Sequence, residues 1–72
     1  MKHEIVDIRG ERLLSLPVVS KKTGLSRTTI YRYIESSKFP RPVQIGGHTI
    51  RWIESEIDQW IGDLPRSGAI QS

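Results

Sequence analysis

Ser26-Arg27-Thr28-Thr29-Ile30-Tyr31-Arg32 places two guanidinium groups, three aliphatic hydroxyls and a phenol within seven residues. A guanidinium fork pairs bidentately with a phosphate or with the edge of guanine. A threonine hydroxyl donates to phosphate, while its methyl can lie against that of thymine. The same groups are poor catalysts, because Thr28 and Thr29 have no general base within a helical turn to activate them. Metal chemistry is equally badly supplied: His3 and His48 are the only histidines, and there is no cysteine. The chemistry points to recognition of a polyanion, and the chain is expected to be no enzyme and to need no cofactor or metal.

Charge along the chain supports the same direction. The formal net charge of the 72 residues is only +3, yet residues 12–52 hold Arg12, Lys21, Lys22, Arg27, Arg32, Lys38, Arg41 and Arg51 against Glu35 alone, a net +7. Residues 53–63 then carry Glu54, Glu56, Asp58 and Asp63, a net −4. A lone run of charge is usually a solvated face, but eight cations to one anion suits nucleic acid. A chain of this length forms one domain that buries about 60% of its unfolded surface, too little for a deep catalytic cleft. No apolar run reaches the roughly 18 residues of a membrane span, and Met1-Lys2-His3-Glu4 lacks a signal-peptide core. The expectation is a soluble, cytoplasmic protein without membrane contact.

The elements that must position these groups can be read from spacing. Pro17 suits a first helical turn, so a short helix is expected over residues 17–23, stopped by Gly24 in a left-handed turn. Ser26 is a good N-cap for a second helix over residues 27–36. Its residues Ile30, Tyr33 and Ile34 share one apolar face, leaving Arg27, Thr28, Tyr31, Arg32 and Glu35 on the other. Phe39-Pro40-Arg41-Pro42 is expected to run extended into a hairpin of Val43-Gln44-Ile45 and Thr49-Ile50-Arg51-Trp52, with glycines at its Gly46-Gly47-His48 tip supplying positive φ. A third helix over residues 54–61 places Ile53, Ile57, Trp60 and Ile61 on one stripe, with acids favouring its positive end. Arg12-Leu13-Leu14 adds a small edge strand. Residues 1–11, with Ile5, Val6 and Ile8, read as a frayed strand or a flexible arm. Residues 63–72 read as a flexible tail, so the folded body spans residues 12–62.

Helix, turn, helix, hairpin, helix is the order of a winged helix-turn-helix, mainly α with a small β-hairpin. Five positions fit that geometry: small Ser20 four residues before Gly24, Val19 beside it, Leu25 plugging the turn, and Ile30 and Tyr33 against the first helix. The outward residues are then Ser26, Arg27, Thr28, Tyr31 and Arg32, with Lys21, Arg41, His48 and Arg51 as flanking backbone contacts. Trp52 and Trp60 read as core rather than as platforms for bases. Glu35 reads as the partner of Arg32 or Lys38 rather than of a cytosine amino group.

Arg12-Leu13-Leu14, Leu16-Pro17, the run from Thr23 to Arg32, Phe39-Pro40-Arg41-Pro42 and the pair Trp52 and Trp60 together resemble the AlpA-type phage and prophage regulatory proteins, grouped with excisionases and MerR-like winged-helix domains. Relatives commonly carry Glu after the proline, where Val18 stands here. The resemblance implies double-stranded DNA as partner, and a role as transcriptional regulator or as an excisionase that bends DNA for an integrase. Contacts with an integrase or RNA polymerase, and self-association along DNA, fit either role. A reading of another class makes the domain a protein-interaction module that uses its acidic third helix and apolar arm.

Overall fold

A computed structural model describes residues 5–6 and 11–68. Along the chain run β1 (Ile5–Val6), β2 (Arg12–Leu14), α1 (Leu16–Thr23), α2 (Arg27–Glu35), β3 (Val43–Ile45), β4 (Thr49–Ile53) and α3 (Glu54–Gly62). Helix α1 opens one residue ahead of the expected Pro17, because Ser15 takes the extended N-cap conformation and the proline falls inside the first turn. Lys21 and Lys22 occupy its last turn, where the helix dipole favours cations. Gly24 then stops it at φ 76°, donating its N–H to the Ser20 carbonyl at 2.8 Å.

The turn is stitched by two hydroxyls. Ser20 Oγ donates to the Leu25 carbonyl at 2.6 Å, and Thr23 Oγ1 donates to Val19 O at 2.8 Å while accepting the Leu25 N–H at 3.3 Å. Ser20 therefore satisfies the turn as well as letting the helices approach. Ser26 caps α2 as expected, its Oγ accepting the Thr29 N–H at 3.1 Å and donating to Thr29 Oγ1 at 2.9 Å.

The far end of α2 closes on a residue that the sequence does not mark. Ser37 adopts φ 60°, its N–H bonds Ile34 O at 3.0 Å, and the Lys38 N–H bonds Tyr33 O at 2.7 Å. That pair of bonds is a Schellman motif with serine in the left-handed position usually held by glycine. The chain leaves it turned inward, so that Phe39 is buried at 6% exposure. The carbonyls on either side of Phe39 each receive an indole: Trp60 Nε1 donates to Lys38 O at 2.7 Å and Trp52 Nε1 to Pro40 O at 3.0 Å. The Phe39 and Trp60 rings meet edge to face, with centroids 4.7 Å apart and planes at 65°.

All strand pairs are antiparallel and the order across the sheet is β1-β2-β4-β3. Leu14 lies opposite Trp52, and Val43, Gln44 and Ile45 lie opposite Arg51, Ile50 and Thr49. Arg12–Leu14 is thus an inner strand rather than an edge, because Ile5–Val6 pairs along its outer side. At the hairpin tip only Gly46 has positive φ, at 64°; the other closure comes from Gln44 Nε2 donating to Gly47 O at 2.7 Å. The core consists of Leu14, Val19, Ile30, Ile34, Phe39, Trp52 and Ile57, drawn from the sheet, the three helices and the loop between α2 and β3. Trp60 packs against it, whereas Ile61, expected on the same stripe, turns outward at 37% exposure. Residues 64–67 form no helix or strand. Ile8 of the expected arm and residues 69–72 of the expected tail lie outside the described residues. The result is a winged helix-turn-helix, mainly α with one hairpin, as the sequence predicts.

Both left-handed caps make opposite predictions for equilibrium unfolding. Gly24→Ala meets no atom within 4 Å, so its cost is that of the backbone angle, a loss of about 1 kcal/mol. Ser37→Gly should gain about 1 kcal/mol by relieving the same strain. Denaturant midpoints that move the other way would refute the cap assignments.

Candidate nucleic-acid interface

Capping at Ser26 fixes where α2 begins, and therefore which of its side chains face outward. Arg27, Thr28, Tyr31, Arg32 and Glu35 are all exposed and fall within about 140° of arc at about 100° per residue. Ile30 and Ile34 hold the opposite face in the core, and Thr29 is half-buried and tied to Ser26. Among the described residues no hydrogen bond or ion pair engages the side chains of Arg27, Thr28, Tyr31 or Arg32. Glu35 makes no ion pair either: the expected bond to Arg32 or Lys38 does not form, and the face keeps both guanidiniums unneutralised. Tyr31, 42% exposed near the middle of the face, is the large apolar surface among these charges.

The remaining expected residues sit on other elements. Lys21 is exposed in the last turn of α1, and Arg41 in the loop between Pro40 and β3. His48 is exposed at the tip of the wing formed by β3 and β4. Arg51 is half-buried on β4 opposite Val43, its Nη1 donating to the neighbouring Ile50 carbonyl at 2.8 Å. It is thus less free than its sequence position implies. The wing and α2 are joined through residues 36–42, the loop whose carbonyls the two tryptophans hold.

One cluster was invisible to charge counting. Lys22 Nζ lies 2.8 Å from Asp58 and 3.1 Å from Glu54, and Arg12 Nη1 lies 3.4 Å from Glu54. Asp58 first, and Glu54 second, raise the Lys22 ammonium above its ordinary pKa. A raised lysine adds stability that is complete below its unfolded pKa and fades as the pH climbs through the folded one, so loss of the lysine's charge removes this contribution only in strong alkali. Two of the eight cations of residues 12–52 are therefore spent on holding α3 to β2 and α1. The available signal was the four-residue spacing of Glu54 and Asp58, which puts both on one side of α3. The tryptophans were legible as core, but their role as donors to the loop was not.

Among the described residues no group of His, Cys, Asp or Glu is placed to hold a metal ion, and no helix is long and apolar enough to cross a membrane.

Residues 12–64, from β2 to just past α3, match the family described as Prophage CP4-57 regulatory protein (AlpA). Over 55 residues the chain is 44% identical to Uncharacterized protein ORF88 of Enterobacteria phage P4, a match that takes in 76% of this chain and 62% of that protein. The chain thus spans less than two thirds of that relative's length. Over 56 residues it is 39% identical to the DNA-binding transcriptional activator AlpA of Escherichia coli (strain K12), covering 69% of this chain and 80% of the relative. No solved structure matches the chain significantly. The family match takes in the helix-turn-helix, the pinned loop and the wing together, and the chain belongs to the AlpA family of prophage regulatory proteins.

Proposed function

We propose that this chain is a sequence-specific reader of double-stranded DNA that serves as a small phage- or prophage-type transcriptional regulator in the cytoplasm. Helix α2 enters the major groove and the β3–β4 wing lies along the backbone. The observation that carries this reading is the α2 face itself: two unneutralised arginines, a threonine and a tyrosine stand free on one side of a short capped helix. A structural role would leave little reason to keep such groups unpaired. The relative named as a DNA-binding transcriptional activator supports the same reading.

A single module of this size buries only about 600–1,000 Å² of its surface on DNA, so neighbouring copies would add useful affinity. Contact between copies through the acidic stretch has to rely on Glu56 and Asp63, because Glu54 and Asp58 are already paired within the chain.

If Lys21, Arg27, Arg32, Arg41 and Arg51 together neutralise about four phosphates, the logarithm of affinity falls with the logarithm of salt at a slope of about −4. Binding to duplex DNA that ignores salt between low and physiological strength would remove the basis of the proposal. Side-chain truncation divides the two kinds of contact. Arg27→Ala or Arg32→Ala should cost about 1–3 kcal/mol on a selected duplex and relax preference at one position, whereas Arg41→Ala or Arg51→Ala should weaken selected and random duplexes alike. Equal shifts on both duplexes for all four variants would mean that α2 reads no bases.

A further inference from the structure

The groups free on α2 form an unusual set. Arg27 and Arg32 are the side chains that pair with guanine O6 and N7, Glu35 can accept from the cytosine amino group opposite guanine, and Thr28 and Tyr31 present methyl and ring carbon suited to the thymine methyl. What is missing is the carboxamide. Asparagine and glutamine are the residues that bond adenine N6 and N7 together. The chain contains no asparagine, and its glutamines are Gln44, Gln59 and Gln71, none of them on α2. Gln44 lies on the wing with its amide engaged by Gly47 O. Ser26 and Thr29, on either side of Thr28 at the start of the helix, have their hydroxyls bonded to each other, which leaves Thr28 as the one free hydroxyl of the three.

Resting on the DNA reading above, we propose that α2 reads its site through the major-groove edges of G·C pairs and through thymine methyl groups, with no bidentate contact to the adenine N6/N7 edge. The absence of ion pairs matters here. Had Glu35 closed on Arg32, the guanidinium would have been neutralised and the helix would offer one guanine reader and no cytosine acceptor. Instead all of these groups remain available. A·T pairs enter the code through the thymine side, with Tyr31 central on the face and Thr28 beside it. Specificity at A·T positions is therefore apolar and weaker, and at G·C positions polar and stronger.

The test uses atoms of the DNA as the mutations. A duplex is selected from a random-sequence pool with the full 72-residue chain, and its affinity is measured at one fixed salt with single-position base analogues. Replacing guanine by 7-deazaguanine at the contacted positions should weaken binding about five-fold or more, as loss of part of a bidentate pair does. Uracil in place of thymine should weaken it by a smaller factor of about two to three, for loss of one methyl contact. 7-Deazaadenine should weaken binding less than 7-deazaguanine at every position, because a single hydroxyl bond is the most that α2 offers adenine. Arg27→Ala or Arg32→Ala, whichever removes the base contact, should abolish the penalty at one guanine, and Tyr31→Ala, but not Tyr31→Phe, should reduce a penalty for uracil. A 7-deazaadenine penalty as large as that for guanine overturns the proposed code while leaving DNA binding intact. Failure of the chain to bind any duplex overturns the code and the DNA reading together.

Discussion

Two indole N–H groups hold the backbone that joins α2 to the wing, and the rest of the molecule is arranged around that grip. Trp60 and Trp52 bond carbonyls two residues apart, at Lys38 and Pro40, and between them Phe39 is drawn into the core against the edge of Trp60. Each tryptophan comes from a different element, Trp52 from the middle of the sheet and Trp60 from α3. The loop is thereby fixed to both. The Lys38 bond is exposed and the Pro40 bond half-buried, so each is worth about 0.5–1.5 kcal/mol, still a noticeable share of the stability of so small a domain. The consequence is a defined spacing between a helix face and a hairpin, on which the proposed reading of groove and backbone depends.

Charge is divided in a similar way between architecture and surface. Glu54 and Asp58 pair with Lys22 and Arg12, linking α3 to α1 and β2 at a site open to solvent, where each pair is worth about 0–1 kcal/mol. The acids at the start of α3 also complement its positive end. On α2 the opposite choice is made: among the described residues Glu35 forms no ion pair with Arg32, and both guanidiniums stay unpaired on a face that also carries this carboxylate. The net +7 of residues 12–52 is therefore not a uniform cationic surface. Part of it links elements, and the remainder is shared among α2, the end of α1, the loop of residues 36–42 and the wing.

What the sequence disclosed follows the range of the interactions. Gly24, the Ser26 cap, the Ile30 and Ile34 face and the hairpin are set by residues within a few positions of one another, and all were legible from spacing. The outward set on α2 was legible for the same reason, since a capped start and a buried stripe leave one face only. Long-range partners were not. Lys22 meets Glu54 across 32 positions and Trp60 reaches Lys38 across 22; spacing puts Glu54 and Asp58 on one side of α3 but does not say what they meet. The inner position of Arg12–Leu14 depends on pairing with Ile5–Val6, again a tertiary fact. Ser37 escaped notice on different grounds: it occupies a left-handed cap without the glycine by which such caps are recognised.

The central claim is that the indole grip on the loop sets how α2 and the wing are presented together, and one measurement addresses it directly. Trp60→Phe keeps a ring beside Phe39, removes the donor to Lys38 O and trims the indole to a single ring. Its affinity for a selected duplex and for random duplex is compared with that of the parent chain at the same salt, with circular dichroism confirming that the helices persist. The account predicts about a five-fold loss on the selected duplex with random binding unchanged, the factor expected for about 1 kcal/mol of lost positioning. An unchanged ratio of selected to random affinity in a folded Trp60→Phe protein would contradict it.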